Sequence, residues 1–153
     1  MTALLLALLL AVPPSVDPER PVVLLPSKDA FRGKEHLQLS VQNRASRRVS
    51  VRPSVAVERS RGDGTWEAVF RLRLEPCPPG DSRERPIGDA CVTLAPGATL
   101  ALTPWDFYTS GADQCAPRPP GLRAYKGAYR LVLEPCAGER IEPASRFITF
   151  IRL

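Results

Sequence analysis

The chain has 153 residues, a net charge of +5 from 21 basic and 16 acidic side chains, and a single histidine. Seventeen prolines and ten glycines leave little room for long helices. Beyond the N-terminal apolar run, no stretch keeps apolar residues at helical spacing for more than two turns, which excludes all-helical and α/β folds. The four cysteines include no Cys-x-x-Cys pair, and the sole methionine is the initiator, which excludes the usual zinc and blue-copper ligand sets; no metal and no cofactor is expected.

In chain order, residues 4–12 are apolar and Pro13 and Pro14 follow. The run is too short for a membrane span, which needs about 20 residues, and it reads as a secretory leader. Residues 1–16 are expected to be a signal peptide and residues 17–153 one domain. That domain is expected to be secreted or periplasmic, with no transmembrane segment after leader cleavage.

Residues 21–26 form a short proline-fenced first strand. In residues 36–43, Leu37, Leu39 and Val41 point one way and Gln38, Ser40 and Gln42 the other. Residues 48–58 put Val49, Val51, Val55 and Val57 on one face, with Pro53 interrupting the ladder and implying an edge or a bulge. Asp63-Gly64 marks a tight hairpin. After it, Trp66, Ala68, Phe70, Leu72 and Leu74 face inward and Glu67, Val69, Arg71 and Arg73 outward. Residues 75–90 and 105–122 are long loops. Shorter strands lie at 92–94 and 99–103, a strong one at 127–134 with Tyr129, Leu131 and Leu133 on one face, and a last one at 147–151, apolar on both faces. These seven or eight strands make the expected fold all-β, an antiparallel sandwich with two long disulfide-stapled loops.

Cys77, Cys91, Cys115 and Cys136 in an exported chain imply two disulfides. Three pairings are open. The local one, Cys77–Cys91 with Cys115–Cys136, is favoured because it closes the two loops with the least chain.

No catalytic set stands out, and the chain is not expected to be an enzyme. His36 lies on a polar strand face, no Gly-x-Ser-x-Gly occurs, and Glu134, Glu139 and Glu142 sit at turns as solvated charge. Two surfaces are candidates for binding. Arg48, Arg52, Arg71 and Arg73 would form a four-guanidinium patch if their strands pair, suited to an anionic glycan or lipid headgroup. Glu58, Glu67 and Glu75 are close enough in sequence to neutralise part of it. Nucleic acid is not expected, since no aromatic residues interleave with the arginines. Trp105, Phe107 and Tyr108 on the second loop would form an aromatic recognition surface, unless they plug the end of the sandwich. The expected role is a non-catalytic binding or accessory module whose partner is a protein or envelope component. The alternative is a protease inhibitor presenting residues 76–86, with Arg83 or Arg85 inserted into the enzyme.

Gly127-Ala128-Tyr129 opening a late strand resembles the tyrosine corner of immunoglobulin-like folds. Together with the Asp-Gly hairpin leading to Trp66 and the Pro-Gly turn before Leu100, it is similar to bacterial extracytoplasmic immunoglobulin-like domains. The resemblance implies architecture only. Where antibody domains carry a cysteine two residues after the corner tyrosine, this chain has Leu131, with Leu39 as its opposite number. No core tryptophan follows the second strand.

Overall fold

The valine- and leucine-rich alternation does build strands, and no helix occurs among the described residues. The computed structural model describes residues 20–75, 87–102, 104, 105, 107 and 126–151. Its strands are β1 (Val22–Pro26), β2 (Ala30–Arg32), β3 (Leu39–Asn43), β4 (Val49–Ser60), β5 (Trp66–Arg73), β6 (Val92–Leu94), β7 (Thr99–Ala101), β8 (Gly127–Pro135) and β9 (Ala144–Ile151). They form two open sheets, one ordered β1-β3-β7 and one ordered β2-β9-β8-β4-β5, with β6 also paired to β4. The fold is all-β, as its alternation requires. Among the described residues no helix is long and apolar enough to cross a membrane.

One apolar cluster joins the two sheets. Val22, Leu24, Leu39 and Val41 come from the smaller sheet, and Val49, Val55, Val57, Leu72, Tyr129, Leu131, Leu133, Ile148 and Phe150 from the larger. The spacing of these residues is the period of two that sends alternate side chains to one face of a strand. β2 has no alternation to betray it, being three residues long, and it pairs parallel to β9 through Ala30↔Thr149, Phe31↔Phe150 and Arg32↔Ile151. It delivers Phe31 to the core, fully buried.

Strand β4 is the axis of the larger sheet. On one side it pairs with β8, at Val51 and again through Val55–Arg59. On the other it pairs with β6 through Val49–Val51 and with β5 through Ser54–Ser60. The change of partner falls at Arg52-Pro53, where proline has no N–H to give to a ladder. The β4–β8 register shifts in the same place, between Val51 and Val55. Pro53 therefore marks a bulge in a central strand, one of the two readings its position allowed. The hairpin after β4 also forms, closed by Arg61 N donating to Thr65 O at 3.1 Å. Its left-handed residues are Gly62 and Gly64, while the Asp63 carboxylate accepts from the N–H and hydroxyl of Thr65 at 2.9 and 2.6 Å.

The observed disulfide joins Cys91 to Cys136, which overturns the favoured local pairing for both residues. Loop length alone was the wrong guide. Val51 lies opposite Val92 on one side and Pro135 on the other, so Cys91 and Cys136 adjoin the two strands that flank β4, and their Cα atoms come within 6.2 Å. Cys77 and Cys115 lie outside the described residues. By elimination they are each other's only partner within the chain. Peptide mapping of the unreduced protein is expected to recover a Cys77–Cys115 linked pair, and a free thiol at either position would contradict it.

The turn after β8 is tied back to β4. Glu139 accepts from Ser50 N at 2.8 Å and from Arg47 Nη1 at 2.9 Å. These two bonds, the backbone one first, hold its carboxyl below the ordinary glutamate value. A lowered folded-state value means stabilisation that is complete above the ordinary carboxylate range and lost as pH falls through the lowered value. Glu139→Gln is expected to lower the urea midpoint at neutral pH, with the gap to wild type closing as the pH falls through the lowered Glu139 value. A gap that persists unchanged in acid would show that the charge is not the cause.

Candidate binding face

The outward side of the larger sheet brings two of the predicted arginines, Arg52 and Arg71, to one groove. The bulge at residues 52–54 opens a groove of about 340 Å³ lined by Arg52, Ser54, Ala56, Arg71, Asp89, Val132 and Glu134, with Pro53 and Gly88. Its floor is made of small side chains because Ala56 pairs with Arg71 on β5 and with Val132 on β8. Arg52 and Arg71 are both exposed.

The expected four-arginine patch does not form. Arg48 is exposed but precedes β4 where the neighbour is β6, not β5, so it never lies beside the arginines of β5. Arg73 sits opposite Ser54 and is only 9 % exposed. What remains is a pair, Arg52 and Arg71. Nor do Glu58 and Glu67 neutralise that pair as expected. Glu58 takes Arg130, through Nε at 2.8 Å and Nη2 at 2.5 Å, and Glu67 takes Arg59 and Arg61 at 3.1 and 3.5 Å. The carboxylates that share the groove with Arg52 and Arg71 are Asp89 and Glu134 instead.

At the second loop, Trp105 and Phe107 take the second of the two open readings, a plug at the end of the sandwich, and not the recognition surface. Trp105 is 2 % exposed and Phe107 fully buried. Trp105 stacks on Phe70 at 5.6 Å between centroids and meets Phe107 at 4.5 Å, and Phe107 stacks on Phe150 at 4.4 Å. The backbone of Leu37 and Trp105 exchanges two hydrogen bonds, 2.8 and 2.9 Å, which pins this segment over the end of the core. Phe107 holds φ +63°, a conformation that costs a bulky L-residue about 1–3 kcal/mol and that its ring packing offsets. These two rings are core, not a recognition surface. Tyr108 lies outside the described residues, as do residues 76–86 with Arg83 and Arg85.

Sequence reading missed the aromatic residues that do face outward. A register shift between β4 and β5 falls at Val57/Glu58, where Val57 pairs with Phe70 but Glu58 with Ala68. The extra residue, Val69, reverses the facing of everything before it. Trp66 and Ala68, expected inward, join the outer face instead. There Trp66 meets Phe147 of β9 at 5.6 Å between centroids, and the Arg130 guanidinium lies 4.9 Å over the Trp66 ring. Phe147 is 58 % exposed. One row across the sheet thus reads Phe147, Arg130, Glu58, Ala68, next to the row that floors the groove. The one available sequence signal was Phe147 itself, which gives β9 an apolar residue on its solvent side.

No family model matches the chain, and no curated protein matches it in sequence. Among solved structures it is similar to a β-glucosidase from Erythrobacter marinus (14 % identity, TM-score 0.41, covering 84 % of this chain and 15 % of that one). It is also similar to the sporulation control protein Spo0M from Bacillus subtilis (14 % identity, TM-score 0.40, 86 % and 48 %) and a β-glucosidase from Listeria innocua (10 % identity, TM-score 0.33, 84 % and 16 %). The chain spans less than half of the length of each, and at these scores no activity transfers.

Proposed function

We propose that this chain is an exported, non-catalytic binding module of immunoglobulin-like architecture whose working surface is the outer side of the larger sheet. Two features support the architecture. The orders β1-β3-β7 and β2-β9-β8-β4-β5 correspond to the two layers of an immunoglobulin-like sandwich, with β8 carrying Gly127-Ala128-Tyr129. Leu39 and Leu131, which stand where antibody domains place their inter-sheet cystine, are both buried. Export is supported by the Cys91–Cys136 disulfide, since such bonds persist outside the reducing cytosol.

The observation that carries the binding role is Trp66 with Phe147 on an outer face that adjoins a groove. A large exposed ring such as Phe147, backed by the half-buried Trp66, loses water favourably when covered, and rigid aromatic side chains cost little entropy to order. An array displaying glycans, lipid headgroups and peptides is the direct test. Wild-type protein is expected to retain at least one class that Phe147→Ser does not. Equal retention of every ligand by both proteins would remove this face from the function. Export is tested separately, by finding the mature protein outside the cytoplasm without its first residues.

A further inference from the structure

With Arg73 buried, the accessible charges of the outer face are matched rather than in excess of one sign. The groove holds two guanidinium groups, Arg52 and Arg71, and two carboxylates, Asp89 and Glu134. The adjoining row holds one of each, Arg130 and Glu58, already hydrogen-bonded together. Guanidinium groups only donate hydrogen bonds and carboxylates only accept them. A polyanion would meet three carboxylates on this surface, and a polycation three arginines. A hydroxyl both donates and accepts, so a ligand dense in hydroxyls is the one whose chemistry matches an even mixture of the two.

The rings sharpen this. Trp66 and Phe147 are tilted by 47° at 5.6 Å, which leaves ring surface facing outward at Phe147, the most exposed large apolar side chain described. A pyranose with mostly equatorial hydroxyls has a C–H face that packs on such rings while its hydroxyl edge reaches polar groups at the side. Here the side groups are Arg130 and Glu58, in register with Phe147 across the sheet. The groove begins one outward row further along β4, about 7 Å away, close enough for the next part of a chain to enter it. The floor of Ala56 and Val132 is low enough to admit it.

We infer that the outer face, between Phe147 and Arg71, is a binding site for an uncharged hydroxyl-rich glycan, with one sugar ring on Phe147, beside Trp66, and its neighbours hydrogen-bonded along the groove. This rests on the reading of the same face as the working surface. The partner class differs from the anionic glycan or lipid headgroup that an arginine patch would have taken, because Arg48 lies beside β6 and Arg73 is buried.

The test titrates the full mature protein with the neutral hexasaccharides of β-1,4-linked glucose, α-1,4-linked glucose and N-acetylglucosamine, with polygalacturonate, and with vesicles containing anionic lipid. Trp66 is one of two tryptophans and the outward one, so its fluorescence reports directly. Binding of at least one neutral hexasaccharide is expected, little changed by added salt and weakened about tenfold by Phe147→Ser and by Arg71→Ser, the loss of one good contact in each case. Both substitutions are at exposed positions, and an unchanged unfolding midpoint confirms an intact fold. Salt-sensitive binding of polygalacturonate or vesicles, with no neutral sugar bound, overturns the glycan inference but keeps the face as a binding surface. Binding of none of these probes overturns the inference, and if the array also shows no dependence on Phe147 the wider reading falls with it.

Discussion

Asn43→Ala is expected to be among the most damaging single substitutions in the chain, lowering stability by roughly 3 kcal/mol. Asn43 is fully buried at the end of β3. Its Nδ2 donates to the carbonyls of Arg47, Leu94 and Ala95 at 2.9, 3.0 and 3.1 Å, and its Oδ1 accepts from Ala45 N at 2.9 Å. Its backbone is engaged too, with N–H donating to Ala98 O at 2.9 Å and C=O accepting from Gly97 N at 3.0 Å. One side chain thus holds the turn between β3 and β4 against the turn between β6 and β7. Alanine would strand these polar groups away from water, and each such loss costs about 1–3 kcal/mol. Asn43→Asp separates hydrogen bonding from volume. It is nearly the same size, yet at neutral pH it turns a carboxylate toward carbonyl oxygens and has no donor to offer. Its penalty is expected to exceed that of alanine at neutral pH and to shrink in acid, where the protonated carboxyl regains one donor. Urea unfolding at two pH values measures both. An Asn43→Ala midpoint within error of wild type would mean that these carbonyls find water as readily as they found the amide.

Removing the Cys91–Cys136 bond is expected to cost about 4 kcal/mol. The bond closes a loop with a sequence separation of 45, and the chain-entropy argument gives that figure for a loop of this length. Cys136 is 5 % exposed, and its backbone N donates to Ser50 O at 3.0 Å, so the bond sits against β4 rather than on a loose surface segment. The Cys91→Ala/Cys136→Ala double variant avoids leaving a lone thiol. Its denaturation midpoint should fall markedly, with the loss concentrated where β6 and the end of β8 clasp the first half of β4. Hydrogen exchange read at Val49–Val51 should rise most. A midpoint loss worth less than about 1 kcal/mol would show that the reduced chain already keeps β6 and β8 together.

The sequence carried the core well and the surface poorly. Leu37, Leu39, Val41, Val49, Val51, Val55, Val57, Tyr129, Leu131 and Leu133 are buried as their alternation demands, because a buried sheet face tolerates no other register. Pro53 announced a break in β4 but not which neighbour changed there. The bulge at Val69 left no mark in the alternation, since Trp66 and Ala68 are apolar and simply continue the inward phase of Phe70, Leu72 and Leu74. That single extra residue moved the tryptophan from the expected core to the outer face. Conversely Trp105 and Phe107, in a segment rich in proline and glycine, gave no periodic signal at all, and only the tertiary fold shows that they complete the core. The cysteine pairing was illegible for a related reason: it depends on which strands flank β4, a relation that loop lengths do not encode.

The parallel pairing of β2 with β9 has a mechanical consequence. Ala30–Arg32 runs alongside Thr149–Ile151 in the same direction, so tension applied through the two ends of the domain pulls these neighbours in opposite senses along their length. Their cross-links are then strained together rather than peeled apart one after another. Resistance to stretching should therefore be concentrated in a patch three residues long, with the buried ring of Phe31 at its centre.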